Sequence, residues 1–189
     1  MKRSRLPIAS LWPLGLALTV LLAAGAAWGQ TPWTKYEDNP VLEAGEPGEW
    51  DQGGVVSDEA GRPVGGAAAV LFDGTTYHLW YAGARTQWPD TDIGYATSPD
   101  GVTWTKHPDN PVLVRQGTWG SGGIFPCAVV WDGATYRMWY INTSGSVTQT
   151  GYATSPDGVT WTPWPDPVLT PGGPGSWDED NAHIHAVLA

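Results

Sequence analysis

Short apolar runs alternate with turn residues along most of the chain, and the runs are too short, too β-branched and too aromatic to read as helices. From residue 65 to residue 113 four of them follow one another, near Ala67 to Phe72, Tyr77 to Ala82, Ile93 to Thr97 and Thr103 to Val112. Asp73-Gly74 and Asp100-Gly101 stand between the first and second and between the third and fourth, residue pairs that accept the positive φ of tight hairpin turns. The pattern predicts four strands, A to D, joined as an antiparallel meander.

The meander recurs. Gly94 to Thr105 reappears without change at Gly151 to Thr162, an offset of 57 residues. Tyr77-His78-Leu79-Trp80-Tyr81 is matched by Tyr136-Arg137-Met138-Trp139-Tyr140. A third element occurs three times, as Asn39-Pro40-Val41-Leu42, Asn110-Pro111-Val112-Leu113 and Asp166-Pro167-Val168-Leu169, each followed by a Gly-rich stretch and a Trp, at 50, 119 and 177. Radial repetition of four-stranded units predicts an all-β fold, a β-propeller. Two full blades are expected, about 65–113 and 124–169, with a D-like strand at 33–42 and the start of a further strand A at 182–189. Five repeats of this length would need about 290 residues, so the chain is expected to be an incomplete propeller, a truncated fragment.

Alternating strand direction sorts the connections. The A–B and C–D turns share one rim and are tight Asp-Gly turns, whereas the B–C and D–A connections share the other and are long and unlike one another. Long divergent loops on a rigid scaffold are where binding and catalysis concentrate.

Composition sharpens this picture at three points. Net charge is −10 over 189 residues, which argues against a nucleic-acid partner, because phosphate binding needs clustered Lys and Arg. The single Cys127 allows no intramolecular disulfide and is expected to be a buried, inert thiol. Lys2, Arg3 and Arg5 precede an uncharged apolar stretch from Leu14 to Ala27 and a small-residue cleavage site at Ala27-Trp28-Gly29, the layout of a secretory signal peptide over residues 1–29. The mature domain, 30–189, is expected to be secreted, extracellular or periplasmic, with no membrane attachment after cleavage.

Trp-Tyr-Ala-Gly at 80–83, Ile93 to Lys106 and Asp-Asn-Pro-Val-Leu at 109–113 resemble blades of the five-bladed propeller glycoside hydrolase superfamily, the arabinanase, levansucrase and invertase-like fold. Ser98 to Trp104 also resembles the Asp-box turn of six-bladed sialidases, without the residue that box places between Asp and Gly; this is the less favoured alternative. The first resemblance implies a carbohydrate ligand and a pair of carboxylates working across the glycosidic bond. It also implies an acid before a Pro at the start of a strand A, where this sequence has Gly66-Ala67, Phe125-Pro126 and His183-Ile184.

Candidate carboxylates therefore come from the loop rim: Asp51 and Asp58 in the first D–A loop and Asp178, Glu179 and Asp180 in the third. Candidate sugar-binding residues are Trp50, Trp119 and Trp177, which recur before the inner strands and would otherwise pack between blades, together with Arg85, Trp88, Asp90 and Asp92 in an unmatched loop, and His183. His183 and His185 lie two apart and share a face if that segment is a strand. No cofactor or metal site is read from the sequence, although Asp90, Asp92 or Asp178 to Asp180 offer oxygen ligands of the kind Ca²⁺ takes. A glycan-cleaving domain, a non-catalytic module that binds carbohydrate or protein, and an inactive fragment all remain open, as does self-association through unpaired blade edges.

Overall fold

The computed structural model describes residues 33–55, 68–86, 90–115, 122–144 and 146–188. Every regular element among them is a strand. The first sheet contains β1 (Gly54–Val55), β2 (Ala68–Phe72), β3 (Tyr77–Ala84), β4 (Thr91–Ser98) and β5 (Thr105–Lys106). The second contains β6 (Ile124–Trp131), β7 (Tyr136–Ser144), β8 (Val147–Ser155) and β9 (Thr162–Pro163). Both are antiparallel and run in chain order, except that β1 and β2 both pair with β3, at Gly83–Ala84 and at Tyr77–Tyr81. The signal-peptide segment lies outside the described residues, and no described helix is long and apolar enough to cross a membrane.

The hairpins form where Asp-Gly predicts them. Gly74, Gly101, Gly133 and Gly158 take φ values from 77° to 101°, which a Cβ would strain. In the duplicated turn, Asp100 Oδ1 accepts from the backbone N–H groups of Val102 at 2.8 Å and Thr103 at 2.7 Å, and Ser98 Oγ accepts from Gly101 N–H at 2.9 Å. Asp157 and Ser155 reproduce this set at 2.8, 2.7 and 2.8 Å. Amide hydrogen bonds favour the ionised form and hold both carboxyls below the usual carboxylate range, Asp157 at about 2.

Strand D is shorter than expected: β5 ends at Lys106, and Pro108, two residues on, cannot donate to a ladder. Beyond β5 the side chain of Asn110 takes over the pairing: its Oδ1 accepts from Tyr95 N–H at 2.8 Å and its Nδ2 donates to Tyr95 O at 3.0 Å. Leu113 then rejoins β4 through a bridge to Ile93. Residues 33–42 form no strand, contrary to expectation; Leu42 instead packs on the back of the first sheet against Val55, Leu79, Tyr81 and Ala96. Residues 182–188 also form no ladder; the segment is tied to β8 by the parallel bridge of Asn181 to Thr148 and by Ala182, whose N–H donates to Thr148 O and whose carbonyl accepts from Thr150 Oγ1, each at 3.1 Å.

The front of the first sheet packs on the back of the second. Ala69, Trp80, Ile93, Tyr95 and Leu113 meet Ile124, Val129, Met138, Tyr140, Ala153 and Trp161 in one core. Trp80 is wholly buried, and its indole N–H donates to Gly158 O at 2.8 Å, so the turn of one sheet completes the polar requirement of the other. Cys127 sits at a bulge in β6 next to Pro126, buried, with its thiol pushed up to about 11 by burial.

Candidate functional site

The long-loop rim carries two structurally equivalent loops. In the first, Gly45 N–H donates to Asp51 O at 3.3 Å and Gly48 N–H to Gln52 Oε1 at 2.6 Å. In the third, Gly172 N–H donates to Asp178 O at 3.3 Å and Gly175 N–H to Glu179 Oε2 at 2.5 Å. Glu179 thus occupies the place of Gln52, and its carboxylate fastens its own loop. That use as a loop staple competes with the catalytic role expected for it.

Asp51 does not face solvent. It is 1% exposed, and its Oδ2 accepts from Lys106 Nζ at 2.6 Å and from the Tyr81 hydroxyl at 3.3 Å. Burial and the neighbouring carboxylate push the Tyr81 phenol far above its ordinary range. The repeat supports reading this ion pair as one unit of packing: the second D–A loop has Gly120 where the first has Asp51, and the second sheet has Pro163 where the first has Lys106. Acid and base are absent together. Trp50 beside it is half-buried and lies over the two glycines of the sheet, where a Cβ on Gly83 or Gly94 would fall 2.5 Å from its ring. Asp51 is buried and Trp50 half-buried for one reason: the loop folds down onto the back of the first sheet.

The acidic loop of the first sheet gives a different result. Arg85 is exposed and lines an open depression of about 340 Å³ together with Gly45, Pro47, Gln52, Gly53 and Thr86. Asp92, half-buried at the start of β4, accepts from Arg115 N–H at 2.9 Å. Burial raises its carboxyl above the usual range, against the lowering effects of that amide and of the Arg85 charge. Asp90 is paired with the Arg115 guanidinium. The four residues therefore form a cluster of two acids and two arginines in which burial raises the Asp92 carboxyl, the direction a general acid needs.

In the third loop, Trp177 is 97% exposed and, with Ser176, Asp178, Glu179, Asp180 and Asn181, borders a second depression of about 330 Å³. Asp178 is half-buried and Asp180 exposed. His183 and His185 are brought together, their rings 4.5 Å apart. Asp58, Trp88 and Trp119 lie outside the described residues. Among the described residues no three His, Cys, Asp or Glu side chains gather into a metal-binding group.

No protein-family model matches the chain. An uncharacterised protein of Mycobacterium tuberculosis strain CDC 1551 is 36% identical over 165 residues, 83% of this chain and 54% of its own length. A β-1,2-mannobiose phosphorylase of Thermoanaerobacter sp. strain X514 is 29% identical over 102 residues, 46% of this chain and 30% of its own. The chain thus spans about half the length, or less, of the curated relatives it matches. Among solved structures, a family 117 glycoside hydrolase from the marine bacterium Zobellia galactanivorans superposes with a TM-score of 0.54 at 20% identity, over 74% of this chain and 46% of that one. Another glycoside hydrolase gives 0.52 at 22% identity, over 71% and 38%. The structural neighbours are glycoside hydrolases, and at these identities the likeness is one of fold.

Proposed function

We propose that the chain is a secreted part of a five-bladed propeller that binds glycans at its long-loop rim and cleaves them, each sheet being one blade. The observation that carries this is the contrast between rims: one holds only Asp-Gly turns, while the other holds Asp92, with its raised carboxyl pKa, among Arg85, Asp90 and Arg115 beside an open depression. Asp92 is the acid that protonates the leaving oxygen. Asp178 and Asp180, next to the exposed Trp177, are the partner carboxylates, and the Trp177 indole is the face on which a sugar ring stacks. The glycoside hydrolase neighbours and the mannobiose phosphorylase relative support a carbohydrate as the substrate class. The phosphorylase likeness also makes phosphate, as well as water, an acceptor to test.

A non-catalytic glycan-binding module is the second reading, favoured by one observation: the second inner strand begins with buried Phe125 and Pro126, with no acid there. Calorimetric titration of mannan, arabinan and xylan oligosaccharides separates the outcomes. Binding that weakens about fivefold or more in Trp177→Ala, as loss of a stacking contact of about 1 kcal/mol requires, with turnover in water or phosphate, supports the enzyme. Binding without turnover supports the module, and no binding to any glycan overturns both.

A further inference from the structure

We propose that His183 and His185 form a two-imidazole site for a divalent ion of the late first transition series, Cu²⁺ or Ni²⁺. Their Nε2 atoms face each other at 2.9 Å with the rings nearly perpendicular, at 81°. Two metal–imidazole bonds of about 2.0–2.1 Å meeting at a right angle separate their nitrogens by about 2.9 Å, whereas a tetrahedral angle needs about 3.3 Å. The spacing therefore fits adjacent positions of a square-planar or octahedral ion better than the tetrahedral positions of Zn²⁺. Nitrogen ligands exclude Ca²⁺ and Mg²⁺, which take oxygen.

The tautomer of His183 is fixed from behind. Thr148 Oγ1 donates to Asn181 Oδ1 at 2.7 Å, so its single proton is committed there. The same oxygen stands 3.4 Å from His183 Nδ1 and can only accept, which places the ring proton on Nδ1 and the lone pair on Nε2, toward His185. Thr148 is itself anchored: its N–H donates to Asp180 O at 3.1 Å, and its carbonyl accepts from Ala182 N–H at 3.1 Å. The segment that carries both histidines is thus tied to β8 at three points, although it forms no ladder. Both rings are exposed, and no third His, Cys, Asp or Glu of the described residues joins them, so the other coordination positions belong to water or to an exchangeable ligand. Without an ion, the Nε2–H of His185 donates to His183 and the pair is a plain hydrogen bond. The metal site does not depend on the glycan reading.

The test is titration of CuCl₂ or NiCl₂ into the full chain in a non-coordinating buffer, followed by calorimetry and by the electron paramagnetic resonance spectrum of Cu²⁺. One ion per chain with coupling to two imidazole nitrogens is expected. His183→Ala and His185→Gln should each weaken binding at least tenfold. Thr148→Val, which loses the group that orients His183, should weaken it about tenfold. His107→Ala should leave it unchanged, and Ca²⁺ should not compete. Cu²⁺ binding of equal strength in His185→Gln, or a spectrum with fewer than two imidazoles in the wild type, overturns the proposal. Far-ultraviolet circular dichroism of each variant separates loss of the site from loss of the fold.

Discussion

Replacing Lys106 by Met removes one half of the ion pair under the first loop and leaves the other half stranded. Asp51 is 1% exposed, its Oδ1 has no hydrogen-bond partner, and its Oδ2 would keep only the 3.3 Å contact from Tyr81. Breaking a buried pair from one side costs about 3–5 kcal/mol. The Lys106 side chain is 27% exposed, so water reaches that end of the pair and the low end, about 3 kcal/mol, applies. In a chain of this size that is a fall in Tm of roughly 6–12 °C. Urea unfolding followed by tryptophan fluorescence measures it directly, because the Trp50 ring lies over the same patch of sheet. The double variant Asp51→Asn/Lys106→Met removes both charges, as the second repeat does with Gly120 and Pro163, and should recover at least about 1 kcal/mol relative to Lys106→Met alone. A single variant within about 0.5 kcal/mol of wild type, or strict additivity in the double, would refute the claim that Asp51 is a packing residue and return it to the rim as a candidate catalyst.

Two further outcomes follow from the duplicated parts. Asp157 has a folded-state pKa of about 2, below its unfolded value of about 3.9, so its contribution is present above about pH 4 and is lost as pH falls through about 2; Asp100 is shifted in the same direction. Asp157→Asn should flatten the acid limb of a stability–pH curve over that interval, and an unchanged limb would contradict the turn geometry. Trp80→Phe should cost about 2–3 kcal/mol, from the lost hydrogen bond to Gly158 O and the space left by the smaller ring, limited because Trp161 Nε1 still donates to that oxygen at 3.0 Å. Trp139→Phe, at the matching but half-exposed position of the second sheet, should cost under about 1 kcal/mol in the same urea titration, and equal costs would refute the asymmetry.

The strands and turns were legible because alternation and Asp-Gly are local signals, and the identical copies at 94–105 and 151–162 adopt identical hydrogen-bonded turns. The ends of the pattern misled. An Asn-Pro-Val-Leu segment reads as strand D, but the ladder ends at Lys106 and the Asn110 amide pairs with Tyr95 in its place, a substitution visible only once Tyr95 is placed opposite. At the site, Asp51 and Trp50 looked like rim residues because they precede an inner strand. Their burial depends on Lys106, 55 residues away, and on two glycines that leave room for the indole. The one signal available was the paired loss of Asp51 and Lys106 in the second repeat. Asp92 was named with its loop as a polar neighbour of Trp88, and its separation from the other acids comes from burial at the start of β4.

The proposal of acid-assisted glycan chemistry at the long-loop rim stands or falls with Asp92 as the proton donor. The most direct measurement is release of reducing ends from a panel of mannan, arabinan and xylan oligosaccharides, with and without phosphate, by wild type and by Asp92→Asn of matched stability. Turnover is expected in the wild type, with a loss of at least about 100-fold in Asp92→Asn, the contribution of a general acid. Turnover that survives in Asp92→Asn would contradict the proposal.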